Sequence, residues 1–431
     1  MTLPRLVSIL TLAGLAATAA AQTCGEWVIH DGPNYDDGVH HLLRGVKAFA
    51  PDDAWAVGEY DQVVLGVHEL HPIVQHFDGE QWTLVPTPLP GKNFPGGVQI
   101  YLYDVDGAAP DDIWAVGTHE HPIDPGTETL TMHWDGSAWS VVPSPKTGEL
   151  SSGSSFEAVE AVAADDVWAV GLWANENDPA RRSPLAAHWD GSGWTIVDVA
   201  LATNGDQELR DVDADPSGSA VWVAGGFGVT ETAPYVLRWN GGEFVFVEPQ
   251  PDVNVYQSIE EIEVFAEDDV WVTAYRTSTF EAVMLHWDGS GWTEFDPAGA
   301  GWSLAGVAPD DIWSVDSDAI SHWDGTSWTQ VDSWEGNADD ARVFAASDAS
   351  DTCSVFAAGL HYVEGQYSTM QGWFERGCVA DFNGDGSVDT RDVLAFLNAW
   401  NAGDSGSDIN GDGVVDTRDV LAFLNLWNAG C

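Results

Sequence analysis

Residues 110–145 read PDDIWAVG (110–117), a variable segment, then HWDGSAW (133–139) and SVVPSP (140–145). The first half returns as PDDAWAVG around Trp55, ADDVWAVG around Trp168, SAVWVAGG around Trp222, EDDVWVTA around Trp271, PDDIWSVD around Trp313 and, in weaker form, DTCSVFAAG around Phe356. The second half returns as HFDGEQW ending at Trp82, HWDGSGW at Trp194, RWNGGEF at Phe244, HWDGSGW at Trp292 and HWDGTSW at Trp328. Short alternating apolar runs bounded by Asp, Gly and Pro are strands, and the Asp-Gly or Asn-Gly step between two of them is a tight hairpin turn. In the first repeat the strands are LRGVKAFA, DAWAVGEY, PIVQHFDG and QWTLVPTP. A period of about 40 to 60 residues built from strands alone signals a radially repeated sheet, so the spacing predicts an all-β, seven-bladed β-propeller.

Residues 1–21, MTLPRLVSILTLAGLAATAAA, combine Arg5, a short apolar run and a small-residue ending, the pattern of a secretory signal peptide. No other stretch approaches the length of a transmembrane segment. The mature chain is therefore expected to be secreted, extracellular or at the cell surface, where disulfides persist. Four cysteines, Cys24, Cys353, Cys378 and Cys431, allow three complete pairings. Cys378 and Cys431 bracket the C-terminal segment and are the natural pair, which leaves Cys24 with Cys353. GEWVIH at Trp27 reads as a final strand without its first three, and the seventh repeat has a poor final strand. One N-terminal strand joining the last blade would remove an exposed sheet edge. Net charge is -55, from 69 acidic and 14 Lys and Arg residues. Such a surface repels nucleic acid and anionic membranes.

Within the repeats, the tryptophans read as packing between blades. His76, His133, His188, His286 and His322 read as structural hydrogen-bonding groups. The pairs Asp52-Asp53, Asp111-Asp112, Asp165-Asp166 and Asp310-Asp311 read as turn formers bonding their own backbone. Function in the ring falls to segments of varying length: EYDQVVLGVHELHP, THEHPIDPGTETL, LWANENDPARRSPL and GFGVTETAP are read as long loops on one face. His68, His71, His119 and His121 recur in a shared theme there, a set able to hold a transition metal or serve in acid–base chemistry. Trp173, Arg181, Arg182, Tyr275 and Arg276 complete the candidate binding face, with the arginine pair able to grip a carboxylate. No nucleophile elbow, P-loop, dinucleotide fingerprint or HExxH occurs, and catalytic residues stay unassigned.

At the C-terminus, residues 381–392 read DFNGDGSVDTRD and residues 408–419 read DINGDGVVDTRD. Oxygen ligands fall at positions one, three, five, nine and twelve: Asp381, Asn383, Asp385, Asp389 and Asp392, then Asp408, Asn410, Asp412, Asp416 and Asp419. Backbone carbonyls of Ser387 and Val414 supply position seven, and Gly386 and Gly413 make the sharp turn. Hard oxygen donors without Cys or His imply calcium, one ion per loop and two in all. After each loop, Val393, Leu394, Phe396, Leu397 and Trp400, and likewise Val420, Leu421, Phe423, Leu424 and Trp427, recur at helical spacing.

This loop–helix duplication resembles a dockerin type I domain, over about residues 378–431. The repeats ahead of it resemble β-propellers of secreted bacterial proteins, kelch-like in size but without the kelch glycine pair. The expected layout is a signal peptide (1–21), a propeller (22–377) and a dockerin-like domain (378–431). The resemblance implies folding on calcium and docking onto a cohesin. It also assigns the recognition pairs to Thr390-Arg391 and Thr417-Arg418, whose identity permits two near-symmetric docking orientations. A short linker leaves two candidate partners for the module, a cohesin-like protein or the chain's own ring. Three functions follow as expectations: a noncatalytic secreted binding and attachment protein; alternatively, a polysaccharide-degrading hydrolase or lyase; alternatively, a structural envelope protein.

Overall fold

The computed structural model describes residues 26–36, 38–64, 66–90, 99–120, 126–145, 153–175, 178–201, 206–227, 233–279, 281–295, 301, 303–316, 319–334, 340–350, 354–363, 366–375, 382, 390–403, 407, 409 and 414–429. One compact unit spans Trp27–Phe374 and a second contains Glu375–Cys431. All four cysteines lie outside the described residues, and with them the disulfide expectation.

The larger unit is built of strands. Gly38–Ala50, Asp53–Val64, Val67–Phe77 and Trp82–Leu84 form an antiparallel set in chain order. The same order recurs in sheets whose first strands are Ile100–Ala109, Ser154–Ala163, Gln207–Ala214, Tyr256–Ala266 and Ser303–Ala308. The last set, Asp340–Ala349, Val355–Val363 and Gln366–Glu375, is completed by Glu26–Asp31, which pairs with Gln366–Glu375. The stretch around Trp27 thus supplies the missing strand that the sequence predicts. First and last sets also meet in one parallel pair, His40 with Tyr367. The first strand of each set packs beside the first strand of the next, and Asp340–Ala349 packs beside Gly38–Ala50, so the order of contacts is cyclic.

Alternation along the strands explains why tryptophan recurs. Trp55 lies 5.0 Å from Trp134 of the following unit, Trp114 5.0 Å from Trp189, Trp168 4.9 Å from Trp239 and Trp271 5.2 Å from Trp323. Each such ring removes a large apolar area from water and fixes one sheet against the next. The repeated histidine stands opposite this tryptophan on the neighbouring strand, with ring centroids 4.2 to 4.6 Å apart. Its Nε2 bonds Asp53, Asp112, Asp166, Asp269 or Asp311 at 2.6 to 2.9 Å. The histidines are structural, as read from the sequence. The second aspartate of each pair differs from expectation: its carboxylate holds the imidazole rather than its own backbone.

Backbone capture occurs instead at the Asp-Gly turns. Asp135 Oδ1 accepts from the amides of Ser137 and Ala138, both at 2.9 Å, and Asp78, Asp190, Asp288 and Asp324 do likewise. Gly136 follows at φ 82°, and a methyl there would sit 2.9 Å from Asp111 Cβ. Glycine is required on both counts.

Two of the segments expected to be long loops, 59–72 and 172–185, are largely strand. Asp53–Val64 and Val67–Phe77 stay paired out to Val64 and Val67, and Asp166–Asn175 pairs with Asp178–Trp189 out to Asn175 and Asp178. Alternating apolar and polar residues carry the ladder outward, so these connections are hairpins extended beyond the sheet body.

In the smaller unit, α1 (Thr390–Ala402) and α2 (Thr417–Ala429) follow the two Asp-rich loops. Phe396 and Phe423 are fully buried and stacked 4.2 Å apart, with Phe382 edge-on to both. Trp400 Nε1 donates to the Asp416 carbonyl at 2.7 Å, tying the first helix to the second loop.

Candidate functional site

The first strands of the larger unit enclose a cavity of about 360 Å³. Asp104, Asp106, Glu157, Glu160, Asp211, Asp213, Glu260, Glu261, Glu263 and Asp348 line it, against Arg44, Lys47 and Arg210. The sequence reading missed this set. Its signal was present: Lys47, Asp106, Glu160, Glu263 and Asp348 each stand eight residues before the aromatic of the DDxW segment or its equivalent, and Asp213 nine before Trp222.

These acids bridge neighbouring sheets. Asp104 accepts from Val159 N at 2.8 Å, Asp106 from Ala161 N at 2.6 Å, and Asp211 from Ile262 N at 2.8 Å. Asp213 accepts from Val264 N, Glu261 from Leu304 N, Glu263 from Gly306 N, and Asp348 from Ala48 N across the junction of last and first units. Amides on a first strand's inner edge have no further strand to pair with, and the preceding unit's carboxylates satisfy them.

Ten carboxylates against three cations cannot all ionise in so small a space. Burial, opposed by two backbone hydrogen bonds, raises Asp104 to about 7, and burial raises Asp213 to about 7 as well. Burial and neighbouring acids hold Glu160, Asp211, Glu261 and Glu263 well above the usual carboxylate range. Lys47 is the ammonium among them, 2.7 Å from Asp106. Burial opposes its charge, but Asp106, Asp348 and Glu160 outweigh that and raise its pKa. The arrangement holds protons and closes sheet edges.

The predicted binding face is spread over the extended hairpins. His68 is exposed, with Nδ1 2.6 Å from Asp61. His71 is 3% exposed, 3.2 Å from Glu69 and stacked on Tyr60. His119 is half-buried near the end of Asp112–Glu120, and His121 lies outside the described residues. Gln99 joins the two hairpins: its Nε2 donates to the His68 carbonyl at 3.1 Å and its carbonyl accepts from Glu120 N at 2.9 Å. Among the described residues no three His, Cys, Asp or Glu side chains form a metal-holding group, and His121 is not one of those residues. Trp173 packs against the core of its sheet. Arg181 and Arg182 lie in Asp178–Trp189; Arg182 Nη1 is 2.7 Å from Glu208, which also accepts from Arg210 at 2.6 Å. Tyr275 is half-buried, and burial raises its hydroxyl pKa. Arg276 donates to Glu294 at 2.6 Å, and Tyr256 donates to the same carboxylate. Arg182 and Arg276 thus answer acids of the chain itself.

In the smaller unit, Asp392 and Asp419, the position-twelve residues, are each 0% exposed. A carboxylate is withdrawn from water only where positive charge or hydrogen bonds compensate. Asp419 Oδ2 accepts from Asp416 N at 2.7 Å, and Asp416 Oδ1 accepts from Arg418 N at 2.7 Å, which caps α2. The Val414 side chain is exposed, as fits a residue contributing through its carbonyl. The hard oxygen donors suit calcium. Asp381, Asn383, Asp385, Ser387, Asp389, Asp408, Asn410 and Asp412 lie outside the described residues. Thr390, Arg391, Thr417 and Arg418 are exposed at the helix N-termini. Leu394 at 61% and Leu421 at 63% are exposed one turn on, with Leu397 and Leu424 beside them. Of the periodic apolar residues, the phenylalanines therefore form the core and these leucines point outward.

Residues 379–428 match the family described as the Dockerin type I domain. Among solved structures, a protein of unknown function from Dyadobacter fermentans aligns at TM-score 0.50 and 12% identity, over 82% of this chain and 99% of that one. The extracellular domain of a putative hybrid two-component system from B. thetaiotaomicron aligns at TM-score 0.45 and 9% identity, over 82% of this chain and 42% of that one. No curated protein matches the chain. No described helix is long and apolar enough to cross a membrane. The chain thus carries a dockerin type I-like module at its C-terminus, behind a large all-β region.

Proposed function

We propose that this is a secreted, noncatalytic attachment protein: a seven-bladed β-propeller over residues 22–377 that displays a binding face, and a dockerin-like module over residues 378–431 that docks it to a cohesin. The observation that carries the propeller is the cyclic packing of first strands, with Glu26–Asp31 completing the last set. A ring closed by one strand from the other end of the chain leaves no long exposed edge. For the module, the support is the dockerin type I match together with one buried carboxylate, Asp392 or Asp419, at the last position of each loop. Two calcium ions would be held, by Asp381, Asn383, Asp385, Ser387, Asp389 and Asp392, and by Asp408, Asn410, Asp412, Val414, Asp416 and Asp419. Bound calcium would neutralise the loop carboxylates and hold the helices at a fixed separation. Arg391 and Arg418, with the exposed leucines one turn on, would form two equivalent docking faces.

On the hairpins, Arg182, Arg276 and His68 are each tied to a carboxylate of the chain. The reading is tested by passing the purified protein over a panel of marine and plant polysaccharides. Saturable retention without new chain ends is expected. New reducing ends or unsaturated products would replace it with the enzyme reading, and neither outcome would leave the structural envelope role.

A further inference from the structure

The fourth unit breaks the pattern that its neighbours keep, and a cavity opens at the break. Where five other units place Asp and His beside the tryptophan, this one has Ala220 and Arg238 beside Trp222. Arg238 stands opposite Trp222 in the ladder but forms its ion pair with Glu267 of the fifth unit. Trp222 is therefore without the imidazole that covers Trp55, Trp114, Trp168, Trp271 and Trp313. It lies 6.4 Å from Trp287, against 4.9 to 5.2 Å for the matching pairs of Trp55, Trp114, Trp168 and Trp271. A methyl placed on its turn glycine, Gly241, would meet nothing within 4 Å, whereas at Gly79, Gly136, Gly191, Gly289 and Gly325 one would press on an aspartate.

The resulting space is about 450 Å³, within the usual range of small-ligand sites. Trp222, Trp287 and Phe246 line it together with Arg238, Glu248 and Glu267. Trp222 is 1% exposed, and its indole N–H, like those of Trp55, Trp114, Trp271 and Trp313, has no hydrogen-bond partner, so the crevice is marked by the missing Asp–His pair and not by the indole. A pyranose ring offers the complementary groups: adjacent hydroxyls for a guanidinium and a carboxylate, and a C–H face for aromatic rings. Glu248, Glu267 and Asp268 outnumber Arg238, so an anionic sugar is disfavoured.

We propose that the crevice between the fourth and fifth units binds one neutral pyranose residue, with Arg238 and Glu267 reading its hydroxyls and Trp222, Trp287 and Phe246 lining its apolar side. Asp268 and Gly289 lie in the turns at the end of the sheet opposite the extended hairpins, so the site is separate from the hairpin face. It does not depend on the role assigned to that face.

The test titrates the full chain with methyl glycosides of glucose, galactose, mannose, fucose and xylose, and with methyl glucuronide, read by tryptophan fluorescence and saturation-transfer NMR. Three variants accompany it. The double variant A220D/R238H restores the Asp–His pair of the other units and so occupies the crevice without departing from the repeat; E267Q keeps shape while removing charge; R182A alters only the hairpin face. At least one neutral glycoside should saturate at millimolar concentration or below, tighter than the glucuronide. Its affinity should fall about tenfold or more in A220D/R238H and less in E267Q, and should not change in R182A. The proposal is overturned if no neutral glycoside saturates by about 20 mM, where a millimolar site is filled. Equal binding by A220D/R238H while its melting temperature is unchanged, or preference for the glucuronide, would also overturn it.

Discussion

Replacing Asp104 with Asn removes one proton-holding carboxylate from the cavity while keeping an oxygen to accept from Val159 N. The consequence follows from linkage. Asp104 titrates at about 7 in the folded protein against 3.8 for an ordinary aspartate, so between those values the folded state holds a proton that the unfolded chain has released. Stability from this group is complete below pH 3.8 and is lost as pH rises to about 7. About three units at ~1.36 kcal/mol each give an upper figure of about 4 kcal/mol. Lys47 and the neighbouring acids readjust, so the observed difference should be on the order of 2 kcal/mol. The assay is urea unfolding of wild type and D104N at half-unit steps from pH 4 to 8, in high salt to screen the general surface charge. Because the Asn amide loses the bond from Val105 N, a constant offset is expected near pH 4, and above pH 5 the difference should move in favour of D104N up to pH 8. Parallel curves across the range would refute the claim that Asp104 is held neutral in the folded protein.

Trp114→Ala should cost about 3 to 5 kcal/mol by opening a cavity between two sheets, measured as a lower unfolding midpoint; a loss below 1 kcal/mol would contradict the packing described. Gly136→Ala should cost more than about 1 kcal/mol, because it forces a side chain into positive φ and against Asp111, and an unchanged melting temperature would count against that turn. Calcium titration calorimetry should show two binding events in the wild type and one in Asp392→Ala or Asp419→Ala; undiminished uptake in both variants would remove those carboxylates from the ligand set.

Much of this architecture was legible because the repeat writes its contacts into its spacing. The tryptophan and histidine recur in one frame because they meet across one strand pair, and the Asp-Gly step recurs because the turn accepts little else. Glu26–Asp31 was legible as a strand lacking partners, beside a last repeat lacking a strand. The acidic lining escaped notice because two or three acids on a strand look like solvated surface, and only the cyclic packing of first strands turns their edges inward. Partners of Arg182 and Arg276 were hidden for a related reason: Glu208 lies in the next repeat and Glu294 on a strand beyond the neighbouring one, positions that sequence distance does not connect. In the helices, periodicity marked an apolar stripe but not its division, because the short pair buries only the stacked phenylalanines and leaves Leu394 and Leu421 outside.

The most direct measurement of the central claim is capture of the full chain by immobilised type I cohesins, in calcium and after chelation. Saturable binding in calcium, lost with chelator and restored when calcium is returned, is the predicted result. It should survive either Arg391→Ala or Arg418→Ala alone and weaken sharply only in the double variant, as the proposed pair of equivalent docking faces requires. Binding that persists after verified calcium removal, or no binding to any type I cohesin by a calcium-loaded chain, would contradict the account.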